Sequence, residues 1–142
     1  MEIQTLYEIA QQNNVKVRTF PLPEFGSLSV QTDSGDCFIG IDKSIQDGSV
    51  YERVHMGHEL GHCLTGSFYS IHTAVDTRQR HEYRADKWAV KKLIPIEALD
   101  SAIAEGYTAL WELADHFGVT EAFIKKAVCY YVHGNLASEL YF

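Results

Sequence analysis

The hydrophobic pattern of this chain changes period once, near Ser49. Before that point apolar residues alternate in short runs. Val15 to Phe20 alternates and is cut off by Pro21 and Pro23, while Leu28 with Val30, and Cys37 with Ile39 and Ile41, give two further runs. Three short strands are expected from these. Asp33, Ser34, Gly35 and Asp36 form a turn cluster between the second and third runs and predict a hairpin. Ahead of the strands Ile3, Leu6, Tyr7, Ile9 and Ala10 recur at helical spacing until Asn13 and Asn14, where a first helix should stop. Beyond Ser49 the alternation vanishes. Ser49 reads as the N-cap of a helix ending at Gly66, a second helix runs from about Arg80 to Leu93 ahead of Pro95, and a third starts near Pro95. Two more are separated by Phe117, Gly118, Val119 and Thr120. The expected class is α+β, with an N-terminal helix, a small three-stranded sheet and a mostly helical C-terminal half.

The chain has 142 residues, a length that suits one core and one domain. No repeat, low-complexity tract or linker divides it, so residues 1–48 (helix and sheet), 49–94 (two long helices) and 95–142 (C-terminal helices) are read as parts of one unit. With 12 basic and 19 acidic residues the net charge is −7, a field that opposes a phosphate backbone. A direct nucleic-acid partner is therefore not expected. The longest apolar run, Ala127 to Val132, falls far short of the roughly twenty residues a membrane helix needs. The opening MEIQTLYEIAQQNN lacks a basic start, an apolar run and a small-residue cleavage site, which makes a cytoplasmic location the default expectation. Cys37, Cys63 and Cys129 are odd in number and widely spaced, and are expected to be reduced, packed thiols.

The helix that begins at Ser49 carries the sequence His58-Glu59-Leu60-Gly61-His62. Residues four apart on a helix differ by about 40° in direction, so both imidazoles project from one face and can meet one ion. Glu59 lies about 100° round from His58, displaced from the ligand direction but within reach of a water beside that ion. It is the expected general base. Zinc in catalytic sites keeps three protein ligands and one open position, so a third ligand must come from elsewhere. The next helix offers Glu82 and Asp86 on one face. Glu82 is assigned to the metal and Asp86 to a zinc-bound histidine, whose free N–H it would accept and whose tautomer it would fix. His81 would also satisfy zinc and competes with Glu82, and His55 shares much the same face as His58. Gly61 would permit another backbone to approach this helix closely.

The stretches ERVHMGHELGHCLTG (Glu52 to Gly66) and EYRADKWAVKKLIP (Glu82 to Pro95) resemble the ImmA/IrrE family of metallopeptidases. In that family a HELGH helix is followed by a second helix with a Glu, then Ala-Asn, an aromatic-Ala pair and a Leu-rich stretch ending in Pro. Glu82, Ala85, Asp86, Trp88, Ala89, Leu93 and Pro95 fill those places. The chain departs at Asp86, where Asn is common, and at Trp88, where Phe is common; Glu82 with Asp86 resembles instead the ExxxD pattern of thermolysin-like enzymes, with a gluzincin-type third ligand. The resemblance implies a minimal zincin-like fold, one Zn2+ ion and an endopeptidase acting on a protein substrate. The implied role is cleavage of a helix-turn-helix repressor of a phage, mobile element or stress response. The alternative is a catalytically silent, metal-containing regulator that sequesters a partner protein.

In the implied chemistry zinc brings the pKa of a water near 7 and polarises the scissile carbonyl, and Glu59 takes the proton and passes it to the leaving amine. The loop after Gly66 offers Tyr69 and His72 as oxyanion donors. A peptide could add as an extra strand to a sheet edge, for which Cys37 to Asp42, just before the helix, is the candidate. Gly40 within it would either admit the peptide backbone or relieve crowding against the helix. Finally, Leu113 to Val128 has the outline of a helix-turn-helix. Its second helix offers only Lys125 and Lys126 as bases and shows a broad apolar face, so packing is favoured over DNA binding.

Overall fold

The computed structural model describes residues 2–70 and 72–142. Helix α1 (Ile3–Gln12) leads into strand β1 (Lys16–Phe20), then β2 (Ser27–Gln31) and β3 (Cys37–Asp42). Five helices follow: α2 (Val50–Thr65), α3 (Val75–Leu93), α4 (Ile96–Ala104), α5 (Leu110–Phe117) and α6 (Glu121–His133), with a closing 3-10 turn at Ser138–Leu140. The α+β class and the order of elements are as the periodicity implies. Asn13 caps α1 by donating its side-chain amide to the Ile9 carbonyl, 2.8 Å away, and Asn14 turns the chain with φ 57°. Thr32 and Asp36 close the hairpin: the Thr32 N–H donates to the Asp36 carbonyl at 2.8 Å, with Gly35 at φ 91° between them.

The sheet has the order β1-β3-β2, with β3 parallel to β1 and antiparallel to β2. This corrects one expectation. The strand from Cys37 to Asp42 is central, hydrogen-bonded on both sides, and has no free edge for a peptide; the open edge beside α2 belongs to β2. Gly40 serves neither role foreseen for it. A Cβ there would stand 3.2 Å from both Leu22 Cδ1 and Phe20 Cδ2, so its bare Cα makes room for the side chains that leave β1.

Ser49 caps α2 by accepting the Glu52 N–H at 3.2 Å, and Gly66 ends it with φ 65°. Helix α3 begins at Val75, earlier than Arg80; its N-cap Ala74 makes no side-chain capping bond, so no sequence signal marks the start. The two helices cross on small residues. A Cβ at Gly61 would lie 2.4 Å from the Ala85 carbonyl oxygen, and one at Gly57 would lie 2.8 Å from Leu93 Cδ1. That close approach brings the side chains of α3 level with those of α2.

One hydrophobic cluster joins Leu6 of α1, Ile39 of β3, Met56 and Leu60 of α2, Leu93 of α3 and Ile124 of α6. The helix-turn-helix outline is present as geometry, with Gly118 at φ 67° and Thr120 accepting the Phe123 N–H at 3.1 Å. Its second helix buries Phe123, Ile124 and Ala127 in the core. Of its two lysines, Lys126 reaches Asp86 and Lys125 lies over the Phe142 ring. Among the described residues no helix is long and apolar enough to cross a membrane.

The cysteines also depart from expectation. Cys37, opening β3, and Cys63, on α2, form a disulfide with Cα atoms 6.0 Å apart, and Cys129 is left buried and unpaired. Cys63 does point away from its neighbour His62. The residue it faces is the start of the strand on which α2 lies, a proximity that spacing along the chain does not reveal.

Candidate metal centre

The second half of α2 presents His58 and His62 on the side facing α3 and the loop after Gly66. His58 Nδ1 lies 2.7 Å from Asp86 Oδ1, and the other oxygen of Asp86 accepts from Lys126 Nζ at 3.3 Å. The left-handed turn at Gly66 folds the chain back so that the Ser67 N–H donates to the His62 carbonyl at 3.0 Å. The Ser67 carbonyl then accepts from His62 Nδ1. Both Nδ1 atoms face acceptors and must carry hydrogens, which leaves both Nε2 atoms as the inward-facing donors of lone pairs.

Those two nitrogens are 3.2 Å apart, and Glu82 from α3 reaches in with Oε2 3.0 Å from His58 Nε2 and Oε1 3.2 Å from His62 Nε2. The ligand atoms of His58, His62 and Glu82 all lie within 4.8 Å of one another. Electron pairs converging in this way need a cation among them, either a proton on an imidazole or a metal ion. The electrostatics agree. Burial pulls the His58 pKa down, but the carboxylates of Asp86 and Glu82 outweigh it and hold the pKa up at about 10. Burial likewise works against ionisation of Glu82, and the two histidines and Tyr69 hold its carboxyl well below the usual range. Two imidazoles and a carboxylate fit zinc chemically and leave a position open. The cluster is a fit for one metal ion.

Glu59 is 5% exposed and faces the same cavity, a cleft of about 480 Å³. Ser27 donates to its Oε2 at 2.7 Å and Ser29 to its Oε1 at 2.8 Å. Both serines come from β2, whose polar face is the one turned toward α2. Val30 is 48% exposed, while Ser27 is buried against α2. His55, one turn before His58, meets Ser27 Oγ with its Nδ1 at 2.6 Å.

Of the oxyanion candidates, Tyr69 lines the cavity and donates its hydroxyl to Glu82 Oε1 at 2.6 Å. That bond, with burial, raises its pKa to about 12, so the hydroxyl keeps its proton. His72 is exposed and does not line the cavity; its backbone N–H donates to Ser70 Oγ at 3.2 Å. His81, the competitor for the third ligand, lies outside the cluster with its ring stacked on Tyr69, centroids 6.1 Å apart. Sequence reasoning missed Ser27 and Ser29 and the contribution of Lys126. Alternation marks two faces of β2 without saying which meets α2, and only the position of β2 as the edge strand beside α2 brings the serines to Glu59.

A comparison with curated proteins finds no match. A family model, the IrrE N-terminal-like domain, matches residues 10–128, a span that begins in α1, covers the sheet and every residue of the metal cluster, and ends in α6. With that match over most of its length, the chain belongs to the Peptidase_M78 family of zinc metallopeptidases, the IrrE N-terminal-like domain family.

Proposed function

We propose that the chain is an active endopeptidase that holds one zinc ion on His58, His62 and Glu82 and hydrolyses a bond in a protein substrate. The observation that carries this reading is the placement of Glu59. Its buried carboxylate shares a cleft with the ligand cluster, and both its oxygens are held by serine hydroxyls. A protein that used the metal only to hold its shape would have no use for a carboxylate fixed beside it.

When bound, zinc supplies a Lewis acid that polarises the scissile carbonyl and acidifies a water. The remaining work falls to side chains of this protein. Glu59 takes the proton of the attacking water and returns it to the leaving nitrogen. Asp86 and the Ser67 carbonyl hold the imidazoles in one tautomer. Tyr69, protonated and at the cavity wall, is the nearer candidate to donate to the developing oxyanion, reaching it by leaving Glu82. The open edge of β2 offers main-chain groups to an extended peptide, and Ser27, Leu28 and Ser29 line the cleft beneath it. The substrate we favour is a helix-turn-helix repressor of a mobile element or stress response, met in the cytoplasm, which follows from the resemblance of the two motif helices to the ImmA/IrrE family.

The test is digestion of a proteome-derived peptide library, read by mass spectrometry, with zinc-loaded wild type and Glu59→Gln. Cleavage by wild type that falls at least a thousandfold in the variant, with zinc content unchanged, supports the reading. Equal cleavage by both, or none by either, overturns it, and the second result would leave a sequestering regulator as the better account.

A further inference from the structure

The hydrogen bonds around Ser27 have a direction that fixes the state of a residue outside the ligand set. Ser27 Oγ lies 2.7 Å from Glu59 Oε2 and 2.6 Å from His55 Nδ1. A hydroxyl has one hydrogen, and an ionised carboxylate can only accept. The Ser27 hydrogen therefore goes to Glu59, and the contact with His55 is a bond only if Nδ1 carries the hydrogen and Ser27 accepts it. Burial lowers the His55 pKa below the ordinary imidazole value, against the pull of Glu59, so near neutral pH the ring has a single N–H to place. Were Nδ1 bare, it would compete with Glu59 for the hydroxyl hydrogen, and one carboxylate oxygen would lose its donor.

The backbone is built around this ring. Gly26, immediately before Ser27, has φ +71°, and a Cβ there would stand 2.7 Å from His55 Cε1. The chain enters β2 by passing against the imidazole, and that passage sets where the Ser27 hydroxyl falls. Ser29, two residues on, needs no such partner: no other side chain among the described residues competes for its hydroxyl hydrogen, which goes to Glu59 Oε1 at 2.8 Å.

We propose that His55 is a positioning residue for the general base: held as the Nδ1–H tautomer, it donates to Ser27 and so commits the Ser27 hydroxyl to Glu59. The chain His55, Ser27, Glu59 couples α2 to the edge strand on which a peptide would lie, and with Ser29 it clamps both oxygens of the carboxylate. The catalytic consequence rests on the peptidase reading above, whereas the hydrogen-bond arrangement does not.

Two measurements separate those layers. In zinc-free protein labelled with 15N-histidine, long-range proton–nitrogen correlation spectra at neutral pH report the tautomer directly, with His55 assigned by its absence in His55→Asn. Wild type should show Nδ1 protonated and Nε2 bare, and Ser27→Ala should restore the Nε2–H form that free histidine prefers. An Nε2–H tautomer in wild type overturns the proposal whatever the protein cleaves. In zinc-loaded protein assayed on a peptide recovered from the library digest, His55→Leu should lower kcat about tenfold with KM within about twofold and zinc content unchanged. His55→Asn, whose amide N–H can stand where Nδ1–H stood, should recover most of that loss. Wild-type kcat in His55→Leu, or equal losses in the two variants, would refute the positioning role. If instead Glu59→Gln cleaves as fast as wild type, it is the peptidase reading that fails, and the tautomer result stands on its own.

Discussion

Asp86 links a ligand of the candidate metal site to α6. It accepts from His58 on one oxygen and from Lys126 on the other, so its charge is shared between a ligand and a cation from a helix near the C-terminus. Burial disfavours its charged form, yet its bond to His58 keeps its pKa below the usual carboxylate value. Replacing a partner of this kind typically weakens a metal site about ten- to a hundredfold, because the imidazole loses both its orientation and part of its basicity. Asp86→Asn should therefore bind zinc about tenfold or more weakly in competition with a chromophoric chelator, while keeping a one-to-one stoichiometry. Glu82→Ala should lose the ion altogether on desalting. Full zinc content in Glu82→Ala, measured by elemental analysis, would mean that the third ligand lies elsewhere.

The crossing of α2 and α3 depends on the absence of side chains. Gly61 faces the Ala85 carbonyl, backbone that cannot rotate away, whereas Gly57 faces the end of Leu93, a side chain that can. Gly61→Ala should force the helices apart and cost about 3 kcal/mol or more in chemical denaturation, with zinc affinity falling because Glu82 moves with α3. Gly57→Ala should cost less, and equal losses in the two variants would show that the close approach at Gly61 is not what sets the crossing. The glycine in the middle of HELGH and the alanines of α3 carried this geometry in the sequence. Caps carried the ends of α2: Ser49 and Gly66 stand where they were expected. The start of α3 was not legible, since Ala74 offers no capping oxygen, and neither was the order of the strands, which depends on pairing between distant residues. Which face of β2 meets α2 was not legible for a related reason. Period two identifies two faces but not which one meets α2, and here the polar face does because it serves Glu59. The Cys37–Cys63 bond was hidden in the same way, being set by where α2 lies on β3.

A disulfide holds the middle of the 142-residue chain, and a metal ion would add a second cross-link that should act independently of it. The disulfide ties β3 to α2 across a sequence separation of 26 and restricts the unfolded chain, an effect of about 3 to 4 kcal/mol for a loop of this size. A metal on His58, His62 and Glu82 would tie α2 to α3 and act by mass action on the folded state alone, giving about 2.7 kcal/mol at a free concentration one hundred times its dissociation constant. For a domain of this length that corresponds to a rise in Tm of roughly ten degrees. The prediction is a two-by-two thermal melt, with and without zinc and with and without a reductant that does not bind the metal. Zinc should raise Tm by a similar amount in the oxidised and reduced protein, and by nothing in His62→Ala. Both halves of that outcome matter. A zinc-dependent rise that persists in His62→Ala would place the ion outside the proposed centre, and one that appears only in the oxidised protein would mean that the bond at Cys63 is needed to hold the neighbouring ligand in place.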